Sequence, residues 1–155
     1  LVQILSYLGL KKRRKQNFMS YEYVIDAYAW IEYFRGSKPG EAAKHYIEEE
    51  DSATPTVVIA ELSRKLLKEI ERGVESVEGR RIKLEFIGTI TEIVDLSRDI
   101  AELSGEIDVE RKNKVDGWGL ADSIILATAR RANAKVVTGD KHFADLKNEV
   151  VMISR

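Results

Sequence analysis

Tyr23-Val24-Ile25-Asp26-Ala27-Tyr28-Ala29-Trp30 is a short strand that turns into a helix at an acid. Its aromatic and β-branched opening, Tyr23, Val24 and Ile25, suits a buried strand. Asp26 is placed at the strand's C-terminal end. From Ala27 to Phe34 the pattern becomes helical, with Trp30, Ile31 and Phe34 forming an apolar side. The same unit recurs near the other end of the chain, where Lys135-Val136-Val137-Thr138-Gly139 is followed by Asp140. Strands that feed helices in alternation predict an α/β sandwich around a mainly parallel sheet.

Working outward, Gly36-Ser37-Lys38-Pro39-Gly40 breaks the first helix, and a second short one is expected over Glu41 to Glu49. Ser52 to Thr54 reads as a strand, and Pro55 suits the first turn of a helix from Thr56 to Arg72 whose apolar line is Ile59, Leu62, Leu66 and Ile70. A further helix is expected from Val74 to Ile87, a strand from Thr91 to Val94, and a helix from Arg98 to Lys112 capped by Ser97. Asp116-Gly117 marks a turn. Leu120 to Ala132 is a compact helix, and Val150 to Ile153 is the last strand. The five strands, with helices between them, predict a three-layer α/β/α sandwich. In such sheets ligands sit beyond the carboxyl ends of the strands, where the strand order reverses. Asp26 and Asp140 lie at such ends.

The chain has 155 residues, 44% hydrophobic and 33% charged, with net charge −1. That is the composition of one ordinary globular domain. No apolar run is long enough to cross a membrane. The absence of cysteine excludes disulfides, cysteine-bound zinc and a cysteine nucleophile, and is compatible with a reducing cytoplasmic setting. Residues 1–18 carry five cations, Lys11 to Lys15, and no acid, so the remainder, 19–155, has a net charge of −6. Residues 1–18 read either as a basic arm that touches RNA or a partner, or as an extension upstream of a true start at Met19. The folded domain is expected over 19–155, and a nucleic acid would be held there by a local basic patch and by metal rather than by overall charge.

Two further acids stand where charge is rare. Glu61 lies in the apolar run Thr56-Val57-Val58-Ile59-Ala60-Glu61-Leu62, and Asp122 in Gly119-Leu120-Ala121-Asp122-Ser123-Ile124-Ile125-Leu126-Ala127-Thr128-Ala129. Each of the four acids also has an ordinary structural reading. Asp26 can cap a helix, Asp122 and Asp140 can cap turns, and Glu61 can be one exposed helix position. Yet buried carboxylates are costly without a cationic or hydrogen-bonding partner, and few basic residues lie near these four in sequence. A hard cation such as Mg²⁺ or Mn²⁺, which prefers oxygen ligands, would balance several of them together. Thr138 is placed to hydrogen-bond a metal-bound water or a phosphate, or to be a plain sheet threonine. Arg64, three residues beyond Glu61, either reaches an RNA phosphate or is a solvated charge, as are Arg130 and Arg131.

Four segments in order, Val24-Ile25-Asp26-Ala27-Tyr28-Ala29-Trp30, Ala60-Glu61-Leu62, Ala121-Asp122-Ser123-Ile124-Ile125-Leu126-Ala127-Thr128-Ala129 and Val136-Val137-Thr138-Gly139-Asp140-Lys141-His142-Phe143, resemble the PIN-domain ribonucleases. The resemblance is strongest to the VapC-like toxins of prokaryotic toxin–antitoxin pairs and runs from Tyr23 to Ile153. It implies a sheet order of 3-2-1-4-5, with Asp26, Glu61, Asp122 and Asp140 as catalytic and metal-binding residues and Thr138 supporting them. It also implies Mg²⁺- or Mn²⁺-dependent cleavage of RNA, a small antitoxin as partner and a homodimer, with the docking patch on the Trp30–Phe34 helix near Tyr46. Asp145 is left outside the acidic set because Phe143 and Leu146 beside it suggest a surface helix.

Other chemistries fit less well. His45 reads as exposed and His142 as a surface or supporting residue, so no zinc site or general-base histidine is indicated. No phosphate-cradling glycine-rich loop with its lysine is present. A receiver domain would pair acids after its first strand, and a haloacid dehalogenase-like enzyme would carry a second Asp where this chain has Tyr28. A PIN-domain nuclease of RNA processing and a non-catalytic acidic-pocket domain are the remaining alternatives.

Overall fold

The computed structural model describes residues 20–154, so the reading of 1–18 falls outside the described residues. The chain runs β1 (Tyr23–Ile25), α1 (Ala27–Arg35), α2 (Lys38–Glu48), β2 (Ser52–Pro55), α3 (Thr56–Glu71), α4 (Val77–Ile90) and β3 (Glu92–Val94). It continues through α5 (Arg98–Lys112), α6 (Leu120–Arg131), β4 (Lys135–Thr138), a 3-10 turn (Lys141–Phe143) and β5 (Val150–Met152). The sheet order is β3-β2-β1-β4-β5, and all four strand pairings are parallel. This is the expected three-layer α/β/α sandwich with its 3-2-1-4-5 order. No helix among the described residues is long and apolar enough to cross a membrane.

The order dictates the layers. From β1 to β2 to β3 the chain steps one way across the sheet, then returns past β1 to β4. Right-handed crossovers therefore place α1 to α4 on one face and α5 and α6 on the other. The order reverses between β1 and β4, which opens a crevice at their carboxyl ends. Register is secured by burial. Val24, Ile25, Val136 and Val137 are fully buried, as continuous apolar strands covered on both faces should be.

Trp30 anchors the first layer. It is fully buried, packs on Phe34 and Phe86, and its Nε1 donates to Thr54 Oγ1 at 3.1 Å. Thr91 Oγ1 donates to the Ile87 carbonyl at 2.8 Å, so the 2.8 Å contact between the two threonines is donated by Thr54. This corrects the expected docking patch. Trp30 belongs to the core, while Ile31 and Phe34 keep part of their surface in a groove shared with Leu62 and Leu66 and rimmed by Lys65 and Lys83.

Two helices start elsewhere than expected. α2 begins at Lys38, because Ser37 caps it by accepting from Gly40 N at 3.1 Å and Pro39 in the first turn needs no donor. The break shrinks to Gly36, at φ 64°, and Ser37. α4 begins three residues late, at Val77, because the Ser76 hydroxyl accepts from Gly79 N at 2.9 Å.

Gly40 is where α2 meets α1. A Cβ there would stand 2.0 Å from the Glu32 carbonyl oxygen and 2.9 Å from Tyr33 N, both backbone atoms. Gly40→Ala should therefore force the helices apart and destabilise the protein by roughly 1–3 kcal/mol, the usual cost of overpacking. Urea unfolding followed by circular dichroism reads the change. An unaltered midpoint would show that this contact is looser than the structure has it.

Candidate active site

Asp26 ends β1 and opens α1. Its amide donates to the Val137 carbonyl at 3.1 Å, which seats it against β4. Its Oδ1 accepts from Ala27 N at 2.7 Å, and its Oδ2 from Thr138 Oγ1 at 2.7 Å. Thr138 Oγ1 in turn accepts from Asp140 N at 3.0 Å. One hydroxyl thus ties both strand ends to the turn that follows. The Thr138 proton is committed to Asp26, so this threonine orients an acid.

Asp140 caps the 3-10 turn. Its Oδ1 accepts from His142 N at 2.9 Å and lies 2.9 Å from His142 Nδ1. Asp122, in the first turn of α6, accepts from Gly119 N through Oδ2 at 2.9 Å. Glu61 enters from the second turn of α3. Its Oε2 is buried without a hydrogen-bond partner. Three of the acids do cap, each through one oxygen, Asp26 and Asp140 by Oδ1 and Asp122 by Oδ2, whereas Glu61 is partly buried rather than exposed.

Burial and neighbouring carboxylates raise three of the four acids. Burial pushes Asp26 up to about 6, against the opposing hydrogen bonds from Thr138 and Ala27, and Asp122 and Asp140 add to the rise. Burial first, and then the charges of Asp26, Asp122 and Asp140, push Glu61 up to about 7. Asp122 is also raised, chiefly by burial and then by Asp140 and Asp108, with the Gly119 amide and His142 acting the other way. Among the described residues, no cationic group offsets Asp26 or Glu61.

This donor set suits a hard divalent cation. It is all carboxylate oxygen, no cation among the described residues offsets Asp26 or Glu61, and it includes one orphaned buried oxygen. Among the described residues no three or more ligand side chains are drawn together for one ion.

His142, read from the sequence as a surface or supporting residue, sits against Asp140. Other neighbours were not picked out from the sequence. Asp108 reaches the cluster from α5, where it accepts from Ser123 Oγ at 3.1 Å and pairs with Lys112 at 3.2 Å. Arg111, 3% exposed, binds both oxygens of Asp145 at 2.6 and 2.7 Å, donates to the His142 carbonyl at 2.9 Å and lies 4.4 Å from the centre of the Trp118 ring. Asp145 is therefore committed to Arg111, in keeping with its exclusion from the acidic set. A signal for Arg111 was present: Ile100, Ser104, Ile107 and Arg111 form the buried face of α5 at helical spacing. Arg64 is exposed and makes no ion pair among the described residues, whereas Arg130 and Arg131 pair with Glu149 and Asp99.

The PIN domain family model matches residues 23–149. No curated protein matches the chain. Among solved structures, a toxin–antitoxin complex from Klebsiella pneumoniae is 24% identical with a TM-score of 0.66, over 86% of this chain and 99% of that one. VapBC2 from Rickettsia felis, bound to a DNA fragment from its promoter, is 22% identical with a TM-score of 0.64, over 83% and 95%. PAE2754 from Pyrobaculum aerophilum is 18% identical with a TM-score of 0.67, over 88% and 93%. At these identities the likeness shows a shared fold.

The raised acids make a pH prediction. Their folded-state values lie above the unfolded values of about 4, so the folded state binds more protons in between. The resulting cost is absent below about pH 4 and complete above about pH 7, where Glu61 has ionised. In chelator, Glu61→Gln should raise the melting temperature by a few degrees near pH 8, and by much less near pH 5. Thermal scans at the two pH values check this, and a lower melting temperature for the variant at high pH would contradict the repulsion.

Proposed function

The chain belongs to the PIN domain family, and on that footing we propose that it is a divalent-metal-dependent endoribonuclease, the toxin of a toxin–antitoxin pair. The observation that carries the nuclease reading is that burial, and then neighbouring carboxylates, raise Asp26, Glu61 and Asp122, while no cation among the described residues offsets Asp26 or Glu61 and Glu61 Oε2 is buried without a partner. A site kept at such a cost to the folded state is accounted for by a bound cation. The toxin reading draws on the solved structures of similar fold, several of which are toxin–antitoxin complexes.

Asp26, Glu61, Asp122 and Asp140 would hold Mg²⁺ or Mn²⁺. When bound, the ion supplies Lewis-acid stabilisation of charge at phosphorus and eases deprotonation of water. The chain's own groups prepare the acids for this. Thr138 Oγ1 and Ala27 N fix the two oxygens of Asp26, and Gly119 N holds Asp122 Oδ2 and leaves Oδ1 without a protein partner. His142 holds Asp140 Oδ1 and leaves Oδ2 available in the same way. Attack by water in line with the P–O3′ bond breaks that bond, and the 3′-oxygen takes up a proton. The products carry a 5′-phosphate and a 3′-hydroxyl.

The substrate is single-stranded or looped RNA. A flexible strand can lower one phosphate into a crevice beyond the sheet, whereas a duplex holds its phosphates on a rigid cylinder. Arg64, exposed three residues beyond Glu61, is the nearest unpaired cation on α3 for an RNA phosphate. A small antitoxin would find the partly exposed Ile31 and Phe34, with Leu62 and Leu66, as an apolar groove. The protein is proposed to be a cytoplasmic homodimer.

A mixed RNA pool incubated with Mn²⁺ should be cleaved, and chelator should abolish cleavage. Asp26→Asn should lower the rate by about 10²-fold or more, the scale of losing a principal electrostatic group. Arg64→Ala should weaken binding more than it slows the chemical step. Cleavage that survives both excess chelator and Asp26→Asn would place the catalytic centre elsewhere. Light scattering at micromolar concentration should return a dimer mass, and a strictly monomeric mass counts against self-association.

A further inference from the structure

Gly139, between Thr138 and Asp140, is a glycine for a steric reason. It does not adopt a left-handed φ. A Cβ on it would stand 2.2 Å from Cε1 of Tyr28 and 2.7 Å from both Cδ1 and Cζ. The position is bare so that the Tyr28 ring can lie on the backbone there. On the same residue, the carbonyl of Gly139 accepts from Ser154 Oγ at 2.8 Å, which keeps the turn from retreating. Tyr28 is thus seated on the turn linking the threonine that orients Asp26 to Asp140.

Cζ, which bears the hydroxyl, is one of the atoms in that contact, so Oη is carried at the same turn. Tyr28 is half-buried, and its Oη has no hydrogen-bond partner among the described residues. Nor is Oη among the buried polar atoms left without a partner, so it is open to solvent. Five donors beside the acids are engaged: Ala27 N, Gly119 N, Thr138 Oγ1, Asp140 N and His142 N all donate within the site. An incoming phosphodiester therefore meets a ring of acids with an uncommitted hydroxyl at the turn.

Resting on the nuclease reading above, we infer that Tyr28 is a substrate-binding residue whose hydroxyl donates to a non-bridging oxygen of the RNA phosphodiester. A phenol is well suited to this place. It can hydrogen-bond an anionic oxygen, and such charge-assisted bonds are the strong ones. A lysine or arginine at the same point would pair with Asp26 or Asp140 and neutralise the acids that a metal needs. A tyrosine supplies a donor and leaves their charge intact.

Tyr28→Phe keeps the ring on Gly139 and removes only the hydroxyl. Steady-state cleavage of a single-stranded RNA oligonucleotide in Mn²⁺ should show KM raised by about tenfold, the worth of one hydrogen bond to a charged group, with kcat changed far less. The melting temperature should match the unsubstituted protein. Tyr46→Phe, a remote tyrosine that packs on Tyr23, should leave both constants unchanged. A DNA oligonucleotide of the same sequence, used as competitor, should lose affinity for Tyr28→Phe in the same proportion as RNA. An unchanged KM overturns the inference, as does a loss confined to kcat. A loss for RNA but not for DNA moves the contact to the ribose 2′-hydroxyl and overturns the phosphate assignment. If the unsubstituted protein cleaves no RNA, the function reading fails and the role of Tyr28 falls with it, a result distinct from cleavage that ignores the substitution.

Discussion

The hydrogen bond from Thr138 Oγ1 to Asp26 Oδ2 joins the ends of the two central strands, and the acidic crevice is arranged around it. Asp26 is 5% exposed, so its carboxylate survives burial only with donors on both oxygens. Ala27 N supplies one and Thr138 the other. The reversal of strand order at β1 and β4 brings these residues together across 112 positions of sequence. The same hydroxyl then receives Asp140 N, so the position of Asp140 follows from that of Asp26.

A carboxylate has two oxygens, and this site uses them for different purposes. Asp122 and Asp140 each spend Oδ1 or Oδ2 on a helix or turn terminus and keep the other. Capping a helix and facing a cation are therefore compatible roles for one residue. The helix N-termini of α1 and α6 favour negative charge on Asp26 and Asp122 through their dipoles. That offsets part of the desolvation cost, but Glu61, in the second turn of α3 with its orphaned Oε2, gets no such help. Burial and its acidic neighbours push it up to about 7, as this geometry requires.

Two polar frames brace the crevice from opposite layers. On the side of α1 to α4, Trp30, Thr54 and Thr91 form a buried chain that ends on the Ile87 carbonyl. On the side of α5 and α6, Trp118 Nε1 donates to Ser123 Oγ at 2.8 Å, and Ser123 Oγ donates to Asp108. Arg111 stacks on Trp118 and fastens the His142 carbonyl and Asp145. An arginine is needed there because its planar fork can bind a carboxylate with two bonds, reach a carbonyl and stack at once. The 3-10 turn carrying His142 is thereby held to α5, while Gly139 is held between Tyr28 and Ser154.

The alternation of short β-branched strands with apolar helices, read from Tyr23-Val24-Ile25 and Lys135-Val136-Val137, was enough to determine the α/β class, because period and burial are local properties of the chain. So were the oddly placed acids Asp26, Glu61, Asp122 and Asp140, since a charge inside an apolar run is visible without coordinates. The strand order came from family resemblance, as no local pattern encodes it. What only the tertiary structure decided are the long-range pairings. Trp30 read as a surface anchor until Phe86 and Thr54 were brought over it. Arg111 was not singled out in the sequence, and only the fold brings Asp145, 34 residues away, to it. Thr138 read either as a hydrogen-bonding partner of a metal-bound water or phosphate or as a plain sheet threonine, and the fold commits its proton to Asp26. In each case the sequence specifies a side chain's chemistry, and the fold specifies which partner satisfies it, because partners distant in sequence meet only after the sheet has closed.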